Sequence, residues 1–99
     1  MIKLYRLTTG EDMLGVPIEE QSTSTWQAIK KPFVLIPMQG KPGQPMQIGF
    51  HPYIPYTKDE VIKIKDINII TETTPDTHLQ STYEKQTSSI LTPKSKIIS

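Results

Sequence analysis

The residues most able to hold a ligand in this chain are lysines. Lys65 stands beside Asp66 in the run Val61-Ile62-Lys63-Ile64-Lys65-Asp66-Ile67-Asn68-Ile69-Ile70. Such a lysine either makes a weak surface pair with the aspartate or contacts a phosphate. Lys30 and Lys31 follow Trp26 closely. They read as a charged strand edge, or as a phosphate contact with a stacking aromatic nearby. His51 and Tyr53 are two residues apart, so one strand face carries both, as a packed surface or as a platform for a base.

Catalytic chemistry has less to work with. His51 and His78 are the two histidines, and they lie on different elements without metal-ligand spacing. Glu11-Asp12 and Glu19-Glu20 are adjacent acids. Neighbours on a strand point to opposite faces and make poor acid–base pairs. Ser22, Ser24, Ser88 and Ser89 lie in polar stretches without a nucleophile elbow, and no glycine-rich phosphate loop precedes a helix. The absence of cysteine removes disulfides and thiolate ligands. The expectation is a non-enzyme with no cofactor and no metal.

Ninety-nine residues make one domain with a modest core, for which self-association is a common source of extra buried area. A net charge of +1 does not attract nucleic acid to the chain as a whole. A local cluster, or symmetric repetition of a small one, would be needed. No apolar run approaches the roughly 20 residues of a membrane span. Met1 to Leu7 lacks the apolar segment of a signal peptide, so the expected location is the cytoplasm.

The elements that must position these side chains are mostly strands. Nine prolines and many Ile, Val, Thr and Tyr residues favour strands over long helices. Strands are expected over 2–8, 13–19, 26–38 (interrupted at Lys30-Lys31-Pro32) and 46–56, with a turn at Gly10 and a loop over 39–45. Gly15 would let the second strand bend, and Pro17 marks it as an edge or a bulge. In the run 61–70 the alternation changes phase: Ile62 and Ile64 are even-numbered, Ile67 and Ile69 odd. One flat strand cannot bury all four, so a bulge or tight turn belongs near Lys65-Asp66. Phe33-Val34-Leu35-Ile36 is apolar on both faces and needs a second cover, either a C-terminal helix or a neighbouring subunit. Thr74-Pro75-Asp76 reads as a helix start, with Thr74 the cap, and Leu79, Tyr83 and Ile90 form one stripe. The expected organisation is a strand domain over 1–73, a docked helix over 74–91 and a flexible tail over 92–99.

This order resembles the Sm/LSm family, including its Hfq-type bacterial members. Leu4, Leu7, Gly10 and Gly15 match the first Sm motif. Ile64-Lys65-Asp66-Ile67-Asn68-Ile69 resembles the second, with Asp66 where glycine is usual. The family's Asp-x-apolar-Asn element has no counterpart between Trp26 and Leu35, and the helix here follows the strands rather than preceding them. Gly10-Glu11-Asp12, the run Pro32 to Gln39 and Ile54-Pro55-Tyr56-Thr57 look closer still to small Sm-like proteins of tailed bacteriophages, especially those infecting cyanobacteria. The resemblance implies an all-β fold with a C-terminal helix: a small, strongly bent, five-stranded antiparallel Sm-like β-barrel in a homo-oligomeric ring of about five to seven subunits. It also implies RNA or another single-stranded nucleic acid as partner, held by Lys65, Lys63 and Asn68, with Lys30, Lys31, His51 and Tyr53 as further contacts. The alternative is the same ring serving as a protein–protein scaffold, which the near-neutral charge and the doubly apolar Phe33–Ile36 run favour.

Overall fold

A computed structural model describes residues 1–38, 40, 42–43 and 47–91, with side chains to residue 87. Six strands form one antiparallel sheet: β1 (Lys3–Leu7), β2 (Asp12–Pro17), β3 (Trp26–Met38), β4 (Gln47–Pro52), β5 (Val61–Lys65) and β6 (Ile69–Thr73). A helix, α1 (Thr77–Leu91), follows. The strand order is β4-β3-β2-β1-β6, with β5 paired to β3. The sheet is not closed, because no ladder joins β5 to β6. The expected positions of Met46, the Ile90 side chain and the tail 92–99 lie outside the described residues.

Six strands stand where the resemblance implied five, because the phase shift in 61–70 divides that run into two short strands. Asp66–Asn68 is a single 3₁₀ turn, and the strands on either side take different partners. Ile62, Ile64 and Ile69 reach one core cluster, whereas Ile67 sits in the turn and is 80% exposed. The turn is tied at both ends. The Asp66 N–H donates to the Thr25 carbonyl, and the Thr8 N–H to the Asn68 carbonyl, each at 2.8 Å.

β3 changes partner halfway. Trp26–Lys30 pairs with β5 and Phe33–Met38 with β4. Between them Lys31 adopts a φ of 51°, in the left-handed region that residues with a Cβ avoid. On the other edge Leu14 pairs with Phe33 but Val16 with Lys30, so β3 carries one extra residue, a bulge that sharpens the bend. Gly15 faces this bulge. A methyl group there would overlap the Ile29 side chain, with the Lys30 carbonyl 3.4 Å away. Gly10 serves differently: its φ of 91° makes the β1–β2 turn, and open space surrounds it.

The strand expected to run to Tyr56 stops at Pro52. Residues 53–60 swing out where β3 kinks, tied by Tyr53 N–H to the Pro32 carbonyl (2.9 Å) and Lys31 N–H to the Glu60 carbonyl (2.7 Å). Pro52 and Pro55 lack the donors that would continue a ladder. The second strand likewise ends at Pro17, before a 3₁₀ turn at Glu19–Gln21.

Apolar side chains occupy both sheet faces. Tyr5, Leu7, Met13, Ile29 and Ile64 form one cluster. On the other face Ile2, Leu14 and Phe33 meet Tyr83 of α1, with Leu35, Phe50 and Leu79 around them. Alternation along β3 thus sends Phe33 and Leu35 under the helix and Val34 to the opposite side. Tyr83 stands edge-on to Phe33, with ring centroids 6.1 Å apart. Asp76, not Thr74, caps α1: its Oδ1 accepts the Leu79 N–H at 2.8 Å. Thr74 precedes a proline, which disfavours helical backbone there, and its hydroxyl instead accepts from Lys3 Nζ at 3.5 Å.

Candidate nucleic-acid interface

The β3–β5 register sets the geometry. Trp26 lies opposite Lys65, Ala28 opposite Lys63 and Lys30 opposite Val61. Residues opposite one another share a face. Ile62 and Ile64 turn to the core, so Trp26, Lys30, Lys63 and Lys65 fall on the other face, the one that α1 partly covers. Lys65 Nζ lies 5.3 Å from the centre of the Trp26 ring, within cation–π range. Trp26 is 39% exposed, so a π surface and a cation are presented together to solvent.

Of the two readings of Lys65, the surface pair with Asp66 is not made. Lys65 leans over Trp26, while Asp66 Oδ1 accepts from Gln27 Nε2 at 3.2 Å. Arg6 and Asp12 do form an ion pair, two-pronged at 2.8 and 3.0 Å. Its hydrogen bond from Arg6 holds the Asp12 carboxyl below the usual carboxylate range. Asn68 lies at the corner, exposed, with its Oδ1 accepting from the Thr8 hydroxyl at 3.4 Å.

The remaining candidates lie elsewhere on the sheet. Lys30 and Lys31 stand at the kink, where they line an open groove of about 490 Å³ with Tyr83 and Glu84 of α1. His51 pairs with Val34, towards the far end of β3 from Lys65. Tyr53 lies past the end of β4 and packs at the rim of the Tyr5 cluster. His51 and Tyr53 line a separate groove with Glu11, Ile36 and Ile48. The seven candidates therefore divide into three places: Lys63, Lys65 and Asn68 at the corner; Lys30 and Lys31 at the kink, in the groove beside α1; His51 and Tyr53 in the separate groove with Glu11. Trp26 was expected as a stacking aromatic beside Lys30 and Lys31, not beside Lys65. Its nearness to Lys65 depends on the register between two strands far apart in sequence, which no local pattern reveals.

Among the described residues no three His, Cys, Asp or Glu side chains gather as metal ligands, and no helix is long and apolar enough to cross a membrane. The fold and this corner define a class: a small antiparallel sheet protein with a capping helix and a lysine–tryptophan face. No protein-family model matches the chain, and no curated protein matches it.

Proposed function

We propose that the chain is an Sm-like subunit that assembles head to tail into a ring and binds single-stranded nucleic acid, RNA foremost, at the Trp26–Lys65 corner. The carrying observation is the stacking of Lys65 on an exposed Trp26, with Lys63 and Lys30 on the same face. Aromatic stacking beside a cation serves any single strand, because every base has a π face and every nucleotide a phosphate. Repetition of the corner around a ring would concentrate positive charge in a chain of net charge +1. A bent barrel is consistent with the 3₁₀ turn, which is hydrogen-bonded to Thr25 at one end of the sheet and Thr8 at the other. For assembly, β4 and β6 each have one edge without a strand partner among the described residues. Ile36, Met38 and Ile48 are exposed at the β3–β4 end and Ile70 on β6. Pairing such edges between copies removes them from water and closes a ring. On this reading the ring works in the cytoplasm of an infected bacterium, as the resemblance to phage proteins implies.

Light scattering at micromolar concentration is expected to give a mass of about five to seven chains. A clean monomer would sink the ring. Trp26 is the only tryptophan, so its fluorescence reports on the corner directly. Poly(U) or poly(A) should quench it, more strongly at low salt. Lys65→Ala should weaken binding by about 1–2 kcal/mol per contact and lower the salt dependence, while the ring stays assembled. An assembled ring whose fluorescence ignores both polymers would instead favour the scaffold. The exposed Ile54 and Tyr56 on the 53–60 excursion, apolar surface well outside the corner, are what that alternative would use.

A further inference from the structure

The kink of β3 is held from more than one direction. Its left-handed residue, Lys31, donates its N–H to the Glu60 carbonyl, and the Pro32 carbonyl accepts the Tyr53 N–H. Both bonds come from the 53–60 excursion. A further bond comes from α1: the Tyr83 hydroxyl donates to the Lys31 carbonyl at 2.7 Å and lies 3.4 Å from the Lys30 carbonyl. The Tyr83 ring is buried and set edge-on against Phe33, which fixes where its hydroxyl points. Burial raises the phenol to about 12, so it remains a donor at neutral pH. Lys30 is the last residue before the kink, on the face that carries Lys63 and Lys65. The direction of its side chain follows the backbone that Tyr83 holds.

We propose that Tyr83 is a positioning residue for the nucleic-acid face. By holding the Lys31 carbonyl it aims Lys30 along the line of Lys63 and Lys65, and so couples docking of α1 to ligand binding. This inference rests on the nucleic-acid function proposed above. Coupling of this kind is reciprocal: a strand bound across the lysines tightens the docked helix, and a docked helix raises affinity. Glu84 lines the same groove as Lys30 and Lys31, so the helix also brings a carboxylate near that end of the face.

Tyr83→Phe keeps the ring against Phe33 and removes only the hydroxyl. Poly(U) is titrated into the intact protein at two salt concentrations, following Trp26 fluorescence. The series comprises wild type, Tyr83→Phe, Lys30→Ala, Lys65→Ala and the two double variants with Tyr83→Phe. Tyr83→Phe is expected to weaken binding about three- to tenfold, the effect of one lost hydrogen bond. It should also lower the salt slope by about one released counterion per subunit, which a purely structural loss would leave unchanged. Lys30→Ala should add little in the Tyr83→Phe background, whereas Lys65→Ala keeps its full effect. Saturating poly(U) should slow amide exchange over residues 79–87 in wild type but not in Tyr83→Phe. Additive losses from Tyr83→Phe and Lys30→Ala, or an unchanged salt slope, overturn the positioning role and leave the corner standing. A wild type that binds no poly(U), or that is indifferent to Lys65→Ala, overturns the nucleic-acid function and this coupling with it.

Discussion

Gly15→Ala is expected to destabilise the protein by about 3 kcal/mol, at the upper end for overpacking a filled interior. The new methyl group would overlap the Ile29 side chain, which is fully buried. The Lys30 carbonyl and Pro32 Cα lie close behind, at 3.4 and 3.5 Å, so the backbone of the bulge limits its escape. Valine at the same position should prevent folding. Gly10→Ala is the natural comparison. There the surroundings are open and only the positive φ is strained, so a loss of about 1 kcal/mol is expected. Chemical denaturation of the two variants separates the causes. Ile29→Leu, which removes the offending branched methyl at constant volume, should recover part of the Gly15→Ala loss. Equal losses at the two glycines, with no recovery, would mean that packing against the bulge is not what requires glycine at position 15.

Tyr83→Ala is expected to cost about 3–5 kcal/mol, as for other large aromatics cut back to alanine in a core. Its ring is 3% exposed and touches the cluster of Ile2, Leu14 and Phe33. Cutting the chain after Thr74 removes the same cover at once. All six strands precede that point, so the sheet should still fold, but Phe33 and its neighbours would face water and the protein should associate or lose solubility. A truncated chain as soluble and as stable as the whole would show that α1 contributes nothing to the outer face.

Alkaline pH gives an independent check on the same anchor. Burial raises the Tyr83 phenol from near 10 to about 12, whereas an unfolded chain ionises it near 10. Its contribution is therefore fully present below about pH 10 and lost as pH rises from 10 to 12, by about 2–3 kcal/mol in all. Tyr5 is shifted upward too, chiefly by burial, so the wild-type decline includes both phenols. Tyr83→Phe should remove the Tyr83 share of that decline and leave the rest. An unaltered alkaline limb would place the Tyr83 hydroxyl in solvent rather than on the Lys31 carbonyl.

Local patterns account for much of the sheet. Period-two alternation needs only neighbouring residues, so the phase shift among Ile62, Ile64, Ile67 and Ile69 was enough to require the corner at Asp66–Asn68. The same alternation showed that Phe33 to Ile36 is apolar on both sides, and the spacing of Leu79 and Tyr83 pointed to a helix with one face to bury. The limits of the elements were less legible. Whether Thr74 or Asp76 caps α1 turns on how β6 runs into Pro75, and where the fourth strand ends turns on the kink in a different strand.

The sequence by itself determined which stretches are strands, where the chain must turn sharply, and which faces need cover, because each follows from side chains a few residues apart. Tertiary structure alone decided what those faces meet. Lys65 could have paired with Asp66, its neighbour in the chain; the β3–β5 register put it on Trp26 instead. Gly15 read as a place where β2 can bend; it is also a point of close packing, because the extra residue in β3 brings Ile29 against it. Lys30 and Lys31 looked like one charged pair. Yet the left-handed backbone between β3's two halves, held by Tyr83 from the far end of the chain, sets where they point. Cross-strand register and a long-range hydrogen bond both depend on which segments pair, and that is settled only when the whole sheet and its helix pack at once.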